Sequence, residues 1–182
     1  MTCIVGLEQD GKAYMGADSF VGGFTSANNG QFKVVKKGKF LLGISGKVSI
    51  TNVIQNELEP LTYLYDTDEQ CIYFNFIKPL KKLLKEEQST EVLNNVNTFD
   101  TSALLIYNNK LYEIDSGFAY IRSPKYGSAI GYGYGPATGS LFTTYKLYNK
   151  DPIEKLTLAL QAALETSEYV REPFIFYESE QL

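Results

Sequence analysis

The stretch Thr2–Asp18, TCIVGLEQDGKAYMGAD, sets the pattern of the fold. The pair Asp10–Gly11 separates two apolar segments, and an Asp-Gly pair in this position is a strong hairpin signal. The stretch 32–46, FKVVKKGKFLLGISG, repeats the design with a turn at Lys37–Gly38–Lys39. The first quarter of the chain therefore predicts four strands in two hairpins.

Helical spacing of apolar residues dominates two later parts of the chain. It predicts helices over 49–65, 69–88, 137–148 and 151–170. Pro60 is a possible kink or stop in the first pattern, and Pro79 makes the midpoint of the second uncertain. Asp151 and Pro152 are typical of an N-cap and a first helical turn, so they fix the start of the last helix.

Strand patterns separate the two pairs of predicted helices and close the sequence. They lie over 101–116, with a hairpin at Asn108–Asn109, over 118–135, with a turn at Ser123–Pro124, and over 174–179. Two blocks of strands and two pairs of helices most simply make two sheets packed face to face, with helices on the outer faces. The expectation is an α+β fold, a four-layer α/β/β/α sandwich, in a single domain over 1–182.

Composition excludes several classes of function. The net charge of −4 argues against nucleic acid as a partner, since phosphate binding needs an excess of Lys and Arg. No apolar run approaches the length of a membrane span. The two cysteines are too few for a disulfide framework and suit a reducing compartment, so we expect a cytoplasmic protein.

The sequence contains no histidine. This absence excludes Ser–His–Asp triads, Cys–His dyads and the common zinc motifs, and no metal or cofactor is predicted. A hydrolase with this composition would need another base. The candidates are a lysine, a carboxylate or an α-amino group, whose pKa is ordinarily about 8.

The segment from Thr2 to Asp18 resembles the start of a proteasome β subunit and of the related peptidase HslV. The two residues are sixteen positions apart, which is the spacing in that family. Lys33 and Gly46 match the lysine and the glycine of the family's next motif, with one residue missing before each. SAIGYGYGPATGSL, 128–141, is similar to the turn that opens the family's third helix. The resemblance extends over nearly the whole chain and is strongest over 2–47 and 128–138.

This resemblance implies an N-terminal-nucleophile hydrolase. Thr2 would be the nucleophile after removal of Met1, with its own α-amine as base. Lys33 would lower the pKa of that amine, Asp18 would hold the lysine, and the Gly46 N–H would bind the oxyanion. Simpler interpretations stay open for each residue: an ordinary strand threonine, a solvated lysine, a turn aspartate and a glycine that ends a strand.

Two regions depart from the family pattern. Tyr132 stands where the family has a serine near the terminal amine. Glu168 is the nearest match to the family's acid near the end of the last long helix, and Arg171 falls roughly where a second serine would be. These departures favour the alternative, a catalytically inactive subunit with a structural or assembly role.

The resemblance also implies partners. The expected assembly is a ring-like homo-oligomer that acts on peptides or unfolded proteins. Any unfolding would require a separate ATPase, because the chain has no G-x-x-x-x-G-K-[ST] phosphate loop.

Overall fold

The computed structural model describes residues 2–20, 33–87, 89–93, 96–99, 101–147 and 151–179. Its strands are β1 Cys3–Gln9, β2 Lys12–Ala17, β3 Val34–Lys37, β4 Phe40–Ser45, β5 Glu91–Leu93, β6 Val96–Thr98, β7 Ser102–Tyr107, β8 Lys110–Ile114, β9 Tyr120–Arg122, β10 Ser128–Gly131 and β11 Ile175–Glu178. Its helices are α1 Val48–Glu57, α2 Asp68–Ile72, α3 Lys78–Glu86, α4 Tyr134–Leu147 and α5 Pro152–Thr166, with a π-helical turn Tyr73–Ile77 that joins α2 to α3.

Two antiparallel sheets form the centre of the described structure. One has the strand order β10-β1-β2-β11 and the other the order β3-β4-β7-β8-β9, while β5 and β6 pair separately as a hairpin. The predicted turns are confirmed: Asp10 and Gly11 have φ values of 52° and 77°, and Asn108 and Asn109 have 49° and 59°. Positive φ at both central residues gives the turn twist that matches two-residue hairpins.

Strand alternation divides the core into three layers of apolar contacts. On β1, Cys3, Val5 and Leu7 pack against α4 and α5, whereas Ile4 points towards the second sheet. The outer face of the second sheet is covered by α1, α2 and α3. The sheets approach closely at Gly43, where an added Cβ would lie 2.7 Å from the sulfur of Met15. The four-layer α/β/β/α sandwich is confirmed.

The predicted helix over 49–65 is too long. α1 ends at Glu57 and Leu58 is already extended, because Pro60 lacks the N–H that a longer helix would need, clashes with the preceding turn and disfavours helical backbone at Glu59. The extended segment that follows is held by Asn75, whose Nδ2 donates to the Tyr63 carbonyl at 2.7 Å. Leu61 is consequently 44% exposed instead of lying in a helical core stripe.

Pro79 does not interrupt its helix. The π-helical turn widens the helix just before it, with the Lys78 N–H donating to the carbonyl of Tyr73, and this accommodates the missing N–H of the proline. The hairpin β5–β6 was not predicted, and α4 begins at Tyr134, three residues before the predicted start. No helix in the described part of the chain is long and apolar enough to span a membrane.

Candidate active site

Asp18 is the central polar residue at the end of the first sheet where the chain begins. It follows β2 directly and its side chain is fully buried. The Cys3 N–H donates to its Oδ1 at 2.8 Å, and the Asp18 N–H donates to the Cys3 carbonyl at 3.1 Å. Since the Cys3 nitrogen belongs to the peptide bond that links Thr2 to Cys3, the carboxylate is fixed beside residue 2.

Lys33 completes a buried ion pair. Its Nζ donates to Asp18 Oδ1, and the two residues are 4% and 0% exposed. The lysine lies one residue before β3 and is positioned by its carbonyl, which accepts from the Ile44 N–H at 2.7 Å. Burial lowers the pKa of the Lys33 ammonium from its ordinary value, and the charge of Asp18 opposes that shift.

The second carboxylate oxygen of Asp18 accepts hydrogen bonds from the backbone, one of them from a distant part of the sequence. The Phe20 N–H donates to Oδ2 at 3.0 Å and the Arg171 N–H donates to it at 3.3 Å. The Arg171 carbonyl in turn accepts from the Ser19 N–H at 2.9 Å. A carboxylate with this many donors is held in one orientation.

Thr2 is 4% exposed and is enclosed by the end of β10. It is two residues before Ile4, whose side chain packs between the sheets, so in extended backbone the two side chains lie on the same face. The Gly133 N–H donates to the Thr2 carbonyl at 3.4 Å. Gly131 has a φ of 90°, and an added Cβ there would overlap the Thr2 carbonyl oxygen and lie 2.8 Å from its carbon. Glycine is therefore required at 131 for residue 2 to keep its place.

A cleft of about 670 Å³ opens beside this position. It is lined by Ser45, Gly46 and Lys47 after β4, by Ser102, and by 129–132 and Tyr134. Gly46 is exposed, and α1 begins two residues later, so the positive end of that helix lies next to the cleft. The volume is within the range of ligand pockets.

Glu168 is not brought to the Asp18–Lys33 pair. It is exposed beyond the end of α5, and its carboxylate contacts the Tyr169 hydroxyl and raises the pKa of that group. The Tyr169 ring packs edge-on against Tyr132, with centroids 5.2 Å apart, and Tyr132 is 67% exposed. The Arg171 side chain turns back to the Val170 carbonyl at 2.8 Å, so only its backbone serves Asp18.

Sequence reasoning missed the backbone contributors to this site: Phe20, Gly131, Gly133 and the main chain of Arg171. Backbone donors leave no residue signature, and only the run of glycines in 131–135 offered one. Cys3, beside the ion pair, is no second nucleophile, because burial and the charge of Asp18 raise its pKa to about 12. Among the described residues no cluster of metal-binding side chains occurs.

Comparison with known proteins identifies the fold. No protein-family model and no curated protein matches the sequence. Among solved structures, BPH of Thiobacillus denitrificans superposes with a TM-score of 0.79 at 17% identity, over 98% of this chain and 97% of that one. HslV of Trypanosoma brucei gives 0.67 at 17% identity, over 97% and 98%. Anbu of Yersinia bercovieri, described as an ancestral β-subunit, gives 0.67 at 13%, over 98% and 81%. The chain therefore has the proteasome-type N-terminal-nucleophile hydrolase fold of these proteins.

Proposed function

We propose that this chain is a threonine peptidase whose nucleophile is Thr2, exposed as the amino terminus when Met1 is removed. One observation carries the proposal: a buried Lys33–Asp18 ion pair is anchored to the peptide bond that follows Thr2. A structural subunit gains little from this arrangement, since a buried ion pair is weak evidence for stability. The ion pair suits a hydroxyl nucleophile whose base is its own α-amine, because a nearby ammonium lowers the pKa of that amine.

The reaction would proceed by acyl transfer. Thr2 Oγ1 attacks the carbonyl carbon of a peptide in the cleft, and its proton passes to the Thr2 α-amine directly or through water. The Gly46 N–H donates to the resulting oxyanion. The C–N bond then breaks, the leaving amine takes the proton, and water hydrolyses the Thr2 ester to release the acid.

Lys33 would act through its charge. In a buried setting, where the effective dielectric is low, an ammonium near the terminal amine lowers the pKa of that amine and stabilises the alkoxide. Asp18 keeps the ammonium in place through Oδ1. We expect Lys33→Met to lower kcat/KM by about 10²-fold or more.

The wider assignment rests on the fold. We infer a single domain over 1–182 that assembles into a ring-like homo-oligomer in the cytoplasm and cleaves peptides or unfolded proteins supplied by a separate ATPase. The similarity to HslV and BPH over nearly the full length of both chains supports this context. A structure of BPH was solved in complex with epoxomicin, which supports the use of that compound as a probe here.

Intact-mass spectrometry of protein purified from cells tests the proposal. Without the compound, we expect a mass lower by one methionine. With epoxomicin, we expect the mass of one adduct to be added per chain, and N-terminal sequencing and peptide mapping should locate the modified residue at Thr2. Thr2→Ala should abolish the adduct and the peptidase activity, whereas Thr143→Ala, at an exposed position of α4, should keep both. Peptidase activity that survives Thr2→Ala would reject the assignment.

A catalytically inactive subunit is the second candidate. It is favoured by Tyr132, whose ring packs on Tyr169 where the family has a small hydroxylated residue. This function predicts chains that keep Met1, take up no epoxomicin and still assemble. The same mass measurement, combined with light scattering for the oligomeric state, distinguishes the two functions.

A further inference from the structure

A second cavity, of about 400 Å³, lies at the other end of β1 from Thr2. The β1–β2 hairpin, the end of α4 and the start of α5 form its walls, and three lysines line it: Lys125, Lys146 and Lys155. It is separated from residue 2 by the length of β1, about 20 Å at 3.3 Å per residue. It is therefore distinct from the candidate active site.

Lys155 is the unusual member of this cavity. It lies in the first turn of α5 and is only 9% exposed. Within the described residues its Nζ forms no ion pair, and it donates to the neutral amide oxygen Oε1 of Gln9 at 2.8 Å. A buried ammonium is costly unless it is compensated by charge, and one amide oxygen uses only one of its three N–H donors.

Acidic residues at the cavity do not balance its lysines. Glu8 is already engaged elsewhere: its Oε1 accepts from the Leu111 N–H at 2.6 Å and from Arg122 Nε at 2.8 Å, and its Oε2 pairs with Arg122 Nη2. Asp10 is then the remaining carboxylate among the lining residues that the structure describes. With three lysines and one such carboxylate, the described lining of the cavity has an excess of positive charge.

Aromatic side chains supply the other wall. Tyr126 and Tyr145 line the cavity, and Tyr145 is 47% exposed. Lys146 Nζ lies over the Tyr145 ring, 6.0 Å from its centroid, and over the Phe142 ring at 5.8 Å, so the cation and the aromatic rings are neighbours. Such a pair suits a ligand that combines an anionic group with a flat apolar part.

From this geometry we infer an anion-binding site for a small organic phosphate or carboxylate, held by Lys155 and Lys146 with Tyr145 against its apolar part. Lys155 donates to the buried oxygen of the anion, and the exposed Lys125 and Lys146 close around it. The site is independent of chemistry at Thr2.

Isothermal titration of the full chain tests the inference, at constant ionic strength, with inorganic phosphate, citrate and AMP as probes. We expect saturable binding of one molecule per chain for at least one probe. Lys155→Met and Lys146→Met should each weaken it about tenfold or more, because each removes a charge-assisted hydrogen bond. Lys82→Met, at an exposed position of α3 on the opposite side of the sandwich, is the matched control and should bind as the unmodified chain does.

The pattern across probes identifies the source of the anion. Phosphate and AMP without citrate indicate a phosphorylated compound, and citrate alone indicates a polycarboxylate. If Lys155→Met does not fold, the double variant of the exposed Lys125 and Lys146 decides. Absence of saturable binding with all three probes, or binding that these lysine variants leave unchanged, overturns the inference.

Discussion

Replacement of Asp18 by Asn tests the electrostatic centre of the structure without reference to activity. The substitution keeps the shape of the side chain and removes its charge, which leaves the Lys33 ammonium buried and uncompensated. Breaking a buried pair in this way costs about 3–5 kcal/mol. The amide NH₂ also faces backbone donors that the carboxylate oxygen accepted, which adds to the cost.

Lys33→Met should cost less than Asp18→Asn. After that change Asp18 still accepts from the backbone N–H groups of Cys3, Phe20 and Arg171, at 2.8, 3.0 and 3.3 Å, so its charge stays hydrogen-bonded. The double variant removes both charges together. We therefore expect the double variant to be more stable, by at least about 1 kcal/mol, than it would be if the losses of the two single variants simply added.

Urea unfolding followed by far-ultraviolet circular dichroism measures these four chains. The control is the pair Lys12–Glu178 on the same sheet, whose side chains are 32% and 29% exposed, and Glu178→Gln should cost only about 0–1 kcal/mol. A loss below about 1 kcal/mol for Asp18→Asn, or strict additivity with Lys33→Met, would refute the buried-pair account.

Two further predictions concern the thiols and the glycines. At pH 8 neither Cys3 nor Cys71 should react with Ellman's reagent in the folded chain, because both thiols are buried. The Cys3 pKa of about 12 also leaves a thiolate fraction of about 10⁻⁴ at this residue. Rapid labelling of either cysteine without denaturant would contradict this. Gly131→Ala should destabilise the chain by at least about 2 kcal/mol in thermal unfolding, because φ is positive and the Cβ overlaps the Thr2 carbonyl. Gly139→Ala, in α4 with open space around it, should instead stabilise by about 0.5–1 kcal/mol, and equal effects of the two changes would count against the described packing.

Local sequence signals explain which parts of the fold were predictable. The turns at Asp10–Gly11 and Asn108–Asn109 are fixed by residues that adopt positive φ, so their hairpins follow from two letters of sequence. The start of α5 is likewise fixed by Asp151, whose Oδ1 accepts from the Ile153 N–H at 2.8 Å. Each of these signals acts over a few residues.

Apolar spacing alone does not fix what happens to a helix near a proline. The apolar spacing of 49–65 continues past Glu57, but Pro60 ends the helix there and Asn75 holds the segment beyond it extended. The helix predicted over 69–88 does pass Pro79, because a π-helical turn lies directly before it, and apolar spacing does not reveal that turn. The hairpin β5–β6 is too short for its pattern to stand out over six strand residues.

The candidate site also has residues that the sequence could predict and residues that it could not. Thr2, Asp18 and Lys33 could be proposed from the resemblance to the proteasome β-subunit family, because that resemblance rests on motifs made of side chains. Arg171 was noted only for a side chain unlike the expected serine, whereas the structure uses its backbone N–H, which almost any residue could supply. The position of Glu168 depends on how the chain leaves α5, and spacing along a helix does not report that.

The donors gathered by the Asp18 carboxylate come from positions 3, 20, 33 and 171, and this has a consequence during synthesis. A nascent chain carries its first hydroxylated residue from the earliest stage of translation, yet the last of these donors is made when most of the polypeptide already exists. Until then the Asp18 carboxylate lacks the hydrogen bond from the Arg171 N–H, and the Ser19 N–H lacks its acceptor, the Arg171 carbonyl. The order of translation thus delays completion of this centre until nearly all of the sandwich has been produced.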